Sequence, residues 1–360
     1  MVSTLASLLI LGILIIVHEA GHFLVARWSG VRVLRFSIGF GPRLATWTRG
    51  HTEYAVSAIP FGGYVKMAGE QRAEHAQEPW EYLSKPIATR ARIVFAGPFV
   101  NYLCAILTLW LVFVIGYPEA LPVVGKLVPD MPAVEAGLAS GDRVQAIDGK
   151  PVKTWQEMTD IIYASSGKPL AFSVTREGSP MTLTITPTSH TTKDVLGREK
   201  TIGQVGIYNA GDVEIFRVGP LEGLRRMIKL HNEFIITTLL GLWFLMTGQL
   251  SLTESATGPI GIVLMIKEGV QLGLPMLLYR VGLFNLCLAI FNLLPIPILD
   301  GGHLFFLGIE RLRRRPVSLN VQERSAQVSF VLLMALILVI CVNDLKRFGL
   351  IDRVMGVFGQ

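Results

Sequence analysis

Two histidines and a glutamate fall within five positions of one another: His18-Glu19-Ala20-Gly21-His22. On a helix, positions i and i+4 share a face. Both imidazoles of an H-E-x-x-H segment can therefore hold one metal ion, with Glu19 beside it to take a proton from a bound water. That is the chemistry of metal-assisted hydrolysis. The three side chains end an apolar run of about 20 residues, the length that crosses a hydrocarbon core. Ionisable groups inside such a run are costly and concentrate where there is function. A segment lying among headgroups is the competing reading. Two histidines leave a tetrahedral zinc short of protein ligands. Asp300, within the stretch Asn292-Leu293-Leu294-Pro295-Ile296-Pro297-Ile298-Leu299-Asp300-Gly301-Gly302-His303, is the candidate third ligand. An Asx-turn or a helix cap ahead of Gly301-Gly302 is its ordinary alternative.

Other polar or helix-breaking residues gather around these positions. Asn292, Pro295 and Pro297 unwind the chain ahead of Asp300, and Asn292 has the chemistry to orient a substrate carbonyl or oxyanion. Plain satisfaction of a broken helix is the alternative. His303 and Asn101 read as supports of the ligands or of the fold, since Asn101 lies in an apolar span where an amide needs a partner.

The elements that must position these groups are mostly membrane spans. The first covers residues 4–25, and the second, 93–116, contains Gly97-Pro98-Phe99-Val100-Asn101. The third, 274–308, is broken at Asp300, and the fourth is 328–342. Between the first two, short β-prone stretches (31–38, 54–59, 64–67) alternate with Gly-Pro breaks and read as hairpins against the membrane face. Residues 70–90 read as a polar loop with a short helix. An edge strand there, supplied by residues 54–59 or 60–67, could capture an unwound substrate by β-addition. Residues 122–206 alternate strand-like and helix-like stretches and read as a compact soluble α+β domain. Residues 220–247 hold too short an apolar run for a crossing and read as interfacial or re-entrant. The expected division is 1–119, 120–206, 207–272 and 273–360.

Composition agrees with a membrane class. Of the 360 residues, 51% are hydrophobic and only 17% charged, where soluble domains carry roughly 25% charge. The net charge of +6 is unevenly placed. Basic residues follow the first span, and Arg311, Arg313, Arg314 and Arg315 follow the third, which puts both loops on the cytoplasmic side of the membrane. The 122–206 domain then faces outward. No base-stacking or helix-turn-helix pattern accompanies the charge, so a nucleic-acid partner is not expected. Cys104, Cys287 and Cys341 each lie in apolar runs without metal-ligand spacing.

HEAGH in the first span, GPFVN in the second and NLLPIPILDGGH in the third, with GFGP and PFGGYVKM between, resemble the site-2 protease family of intramembrane zinc metalloproteases. The resemblance covers nearly the whole chain and is closest to the bacterial regulated-intramembrane-proteolysis branch with a single PDZ domain. It implies a polytopic α-helical membrane protein of about four transmembrane helices, with membrane-associated β-hairpins and an inserted PDZ-like domain. It implies Zn2+ as cofactor, His18, His22 and Asp300 as its ligands and Glu19 as catalytic base. Asn292, Pro295 and Pro297 would lie in the catalytic neighbourhood. The implied partners are the lipid bilayer and single-span membrane proteins such as anti-sigma factors or remnant signal peptides. In a PDZ-like reading, Ala133, Gly137 and Leu138 belong to the loop whose amides would hold a carboxylate; a steric cap without a peptide ligand is the alternative. A transporter with a broken helix, or a catalytically silent PDZ scaffold, are the rival classes. Zinc content discriminates the first, and loss of Glu19 or a ligand would mark the second.

Overall fold

The computed structural model describes residues 2–71, 75–193, 199–251 and 257–348. In chain order they form helix α1 (Val2–Trp28), strands β1 (Val33–Arg49) and β2 (Thr52–Met67), and helix α2 (Ile87–Ile115). Strands β3 (Tyr117–Ala120) and β4 (Val124–Leu127), the one-turn helix α3 (Pro132–Glu135), and strands β5 (Arg143–Ile147) and β6 (Lys150–Pro151) follow. Then come helix α4 (Trp155–Ala164) and strands β7 (Leu170–Arg176), β8 (Ser179–Ile185), β9 (Thr188–Lys193), β10 (Glu199–Gln204), β11 (Ile207–Asn209) and β12 (Val213–Phe216). Five helices close the chain: α5 (Pro220–Met246), α6 (Pro259–Leu272), α7 (Leu274–Asn292), α8 (Asp300–Arg313) and α9 (Leu319–Arg347). Two compact units result: residues 1–112 with 248–360, and residues 113–247.

Among the described residues, four helices are long and apolar enough to cross a membrane: Ala6–Trp28, Ile87–Ile115, Leu274–Asn292 and Asn320–Arg347. Helix α1 packs against β2, α6 and α7. Gly21 makes its crossing with α2 possible: a Cβ there would stand 2.5 Å from the carbonyl oxygen of Ala96. Small residues permit this approach between helices that lack a hydrophobic driving force in lipid. Helix α9 is tied to α6 by Asp344. Its carboxylate is fully buried and accepts from the amides of Gly258 (3.2 Å) and Gly261 (2.8 Å), capping the first turn of α6. The cap satisfies donors that a membrane interior would leave unpaired.

The short hairpins expected over residues 31–67 are in fact two long strands that fold through bulges. Phe36 faces Val65 on one side and Tyr54 on the other, while Trp47 also pairs with Tyr54. The spatial order of segments is therefore 43–49, 52–59, 33–40, 63–67. Gly39 and Gly62, with φ of +88° and +112°, take the left-handed conformations these irregularities need. Residues 54–59 are thus central, and only 63–67 and 43–49 form edges. No helix appears among the described residues of 70–86.

The second unit is built on a four-stranded antiparallel sheet of order β6-β5-β7-β8. Alternating residues Val144, Phe172, Val174 and Ile185 bury on its inner side against Met158 and Ile162 of α4. Thr154 caps α4 by accepting from the Glu157 amide at 3.2 Å. β11 pairs back on β4 and β12 on β3, so the boundary expected at residue 206 falls inside this unit. The expected carboxylate loop is also corrected. The amides of Ala133, Gly137 and Leu138 already donate to Val205, Val134 and Ala133 carbonyls at 2.9–3.0 Å, and Ala133 is fully buried. They have no donor left for a ligand. The unit's groove lies elsewhere, a cavity of about 320 Å³ between α4 (Trp155, Thr159, Tyr163) and residues 204–209.

Candidate active site

His18 and His22 occupy successive turns of α1, and Asp300 opens α8. The turn between α7 and α8 delivers Asp300. Asn292 is the last residue of α7, and Pro295 and Pro297 lie in the turn itself. Gly301 and Gly302 let α8 close onto that turn, because a Cβ on either would meet a Leu294 or Ile296 carbonyl oxygen at 2.2–2.3 Å. His303 is exposed, and its donors are not among those that converge.

Three donor atoms meet. His18 Nε2 lies 3.2 Å from His22 Nε2, and the Asp300 Oδ2 atom is 3.1 Å and 3.4 Å from the two. A tetrahedral zinc with bonds of about 2.0–2.1 Å separates its ligand atoms by about 3.3 Å. The observed triangle has the edges that such an ion requires. Both histidines are 8% exposed, and Asp300 Oδ2 is buried without a hydrogen bond. A buried carboxylate oxygen 3.1 Å and 3.4 Å from two imidazole nitrogens, with no well-aligned hydrogen bond, suits a cation position. The tautomer of His22 agrees, since its Nδ1 donates to the Ile93 carbonyl of α2 at 2.8 Å, which leaves the Nε2 lone pair for the metal. The residues present therefore fit zinc.

Glu19 stands next to the triangle and accepts from the Val65 amide on the edge segment 63–67. Its Cγ is 3.7 Å from where a Cβ on Gly63 would be. The α2 segment Gly97–Asn101 forms the roof. A Cβ on Gly97 would fall 2.3 Å from His22 Nε2 and 2.8 Å from His18 Cε1, and Pro98 removes one rung of the α2 ladder here. Asn101, fully buried, places its Nδ2 3.3 Å from His18 Nδ1. Below them, Arg90 in the first turn of α2 makes a two-pronged pair with Glu310 of α8, at 2.6 Å and 3.2 Å. This pair ties the helix that carries Asp300 to the helix that roofs the histidines.

Comparison with known proteins accords with this geometry. The model of peptidase family M50 matches residues 6–336. The chain belongs to peptidase family M50. A relative in Rhizobium meliloti is 35% identical over 356 residues, covering 94% of this chain and 95% of its own. The regulator of sigma-E protease RseP of Salmonella typhimurium is 31% identical, with 95% of this chain and 98% of that protein covered. The zinc metalloprotease RasP of Geobacillus kaustophilus is 29% identical, with 97% and 100% covered. As an M50 member the chain is a membrane-embedded zinc metalloprotease. Its family pattern made His18, Glu19, His22 and Asp300 legible beforehand. The sequence marks Gly97 as part of a Gly-Pro break in the second span but not as the roof over both imidazoles, and it carries no sign of the Ile93 carbonyl or the Arg90–Glu310 pair.

Proposed function

We propose that the chain hydrolyses peptide bonds in single-span membrane proteins during regulated intramembrane proteolysis, with His18, His22 and Asp300 holding zinc and Glu19 as base. The match between the donor triangle and a tetrahedral ion carries this reading. When bound, zinc supplies Lewis acidity to a water and to the scissile carbonyl. Glu19 takes the proton of that water and returns it to the leaving amine. Residues 63–67, an edge segment beside Glu19, hold the substrate as an added strand, and Asn292 with the Pro295–Pro297 turn flanks the carbonyl. Anti-sigma factors are the first substrate class in this reading, in keeping with relatives named regulators of sigma E, and remnant signal peptides a second. Basic loops favour a site towards the cytoplasm and the 113–247 unit outside. That unit is PDZ-like in this reading, and its groove along residues 204–209 is the place for an extended peptide. Helix α5, with Arg225, Arg226 and Lys229 in its first half and exposed Leu221, Leu224, Ile228, Ile236 and Trp243, suits the membrane interface.

The test is cleavage of a tagged single-span substrate by the wild type and by Glu19→Gln, with and without a zinc chelator. Cleavage by the wild type alone, abolished by chelator, is expected. Equal processing by Glu19→Gln would overturn the assignment of the base.

A further inference from the structure

A buried carboxamide above the donor triangle has a more specific task than filling space. Asn101 is 0% exposed and sits in a membrane-spanning helix, where an amide is costly unless both its ends are used. Its Nδ2 faces His18 Nδ1 at 3.3 Å, and its Oδ1 is buried with no partner. In that orientation the amide donates, His18 Nδ1 must accept, and the single proton of the neutral imidazole is forced onto Nε2. Nε2 is the atom that points at His22 and Asp300. A proton there removes the lone pair a metal needs.

Turning the carboxamide by half a rotation resolves the conflict. Its oxygen and its NH2 group have nearly the same size, so the exchange displaces no neighbour. The oxygen then accepts from Nδ1–H, the proton leaves Nε2, and three lone pairs converge on one point. His22 reaches the same tautomer by a different route, donating Nδ1–H to the Ile93 carbonyl, which can only accept. Both partners come from α2, eight residues apart, so one helix sets the tautomers of both histidines on another.

We propose that Asn101 is a positioning residue whose amide oxygen accepts from His18 Nδ1–H and thereby fixes Nε2 as the metal-binding nitrogen. This rests on the reading of His18, His22 and Asp300 as the zinc centre, and it goes further by giving the polar residue of the second span a defined role in it.

Zinc affinity of the purified full chain, measured by chelator competition, tests this independently of activity. Asn101→Leu, which removes the acceptor at similar volume, is expected to weaken zinc binding about 10–100-fold, the usual effect of losing a partner behind a metal ligand. Asn101→Asp, whose carboxylate only accepts, is expected to bind zinc at least as tightly as the wild type. If the Leu variant fails to fold, Asn101→Ala carries the same expectation. Wild-type affinity in Asn101→Leu or Asn101→Ala would overturn the proposal, and so would equal loss in a folded Asn101→Asp. His18→Ala separates the two levels of inference. If it binds zinc like the wild type, the zinc centre itself is misassigned; if it loses zinc while Asn101→Leu keeps it, only the role of Asn101 fails.

Discussion

Replacing Gly97 by alanine adds one methyl group at the most crowded point of the site. The added carbon would lie 2.3 Å from His22 Nε2, 2.6 Å from His22 Cε1 and 2.8 Å from His18 Cε1. Ordinary contacts begin near about 3.5 Å, so His22 must retreat by about 1 Å. Its ring is held by the Ile93 carbonyl at 2.8 Å, and α1 and α2 meet backbone to backbone at Gly21, so relief has to come from parting the helices. Zinc tolerates departures of only about 0.2 Å in its ligand distances. A 1 Å displacement of a reacting group costs about 100-fold in rate. Gly97→Ala is therefore expected to lose most of its zinc under chelator competition and at least about 100-fold in cleavage, with helical circular dichroism unchanged. Gly308→Ala is the matched control, because nothing lies within 4 Å of a Cβ there, and it should gain slightly in stability as an ordinary helical glycine. Wild-type zinc binding and cleavage in Gly97→Ala would refute the contact argument.

Three further outcomes follow from the packing. Arg90→Met leaves Glu310 largely buried and unpaired, so the thermal stability of the detergent-solubilised chain should fall by about 3–5 kcal/mol, and Arg90→Met/Glu310→Met should recover most of it; equal losses in single and double variants would deny the pairing. Asp344→Ala removes the cap of α6 and should cost about 1–2 kcal/mol, read as faster amide exchange at Gly258 and Gly261; unchanged exchange would show that these amides find other acceptors. In the second unit, the Arg176 guanidinium holds Asp142 below the usual carboxylate range through two bonds of 2.8 Å, with the Ala139 amide assisting and burial opposing. A depressed folded pKa means the contribution is complete above the unfolded value of about 4 and fades as pH falls below it. Unfolding of this unit should steepen towards acid, modestly because Arg176 is partly exposed, and Asp142→Asn should remove that slope.

What was legible in the chain was whatever local spacing records. Four turns of apolar residues ending in H-E-x-x-H fix a helix and the face that carries both imidazoles, and Asp300 becomes legible once the broken third span is matched to the same family pattern. Pairings between distant residues were not legible. β11 closes on β4 about 80 residues earlier, so nothing near residue 206 announces that the unit continues. From sequence the long strands of 33–67 look like separate hairpins, because glycine at positive φ serves equally for a turn and for a bulge. The amides of residues 133–138 looked available because a one-turn helix has almost no period to detect, yet that turn and the Val205 carbonyl consume them. Gly97 carries no chemistry of its own, and only the packed helices reveal that it makes room for two rings.

The order of the ligands along the chain has a temporal consequence. His18 and His22 are made first, and Asp300 emerges about 280 residues later, which at about 5–20 residues per second is about 15–60 seconds. The structure makes this interval long by construction, because the carboxylate that completes the triangle sits on α8, and the cap of α6 waits for Asp344 on α9. A ribosome-bound chain thus carries the base and two imidazoles but no third anionic ligand. Each newly made molecule stays an incomplete enzyme while its own spans are being threaded into the bilayer.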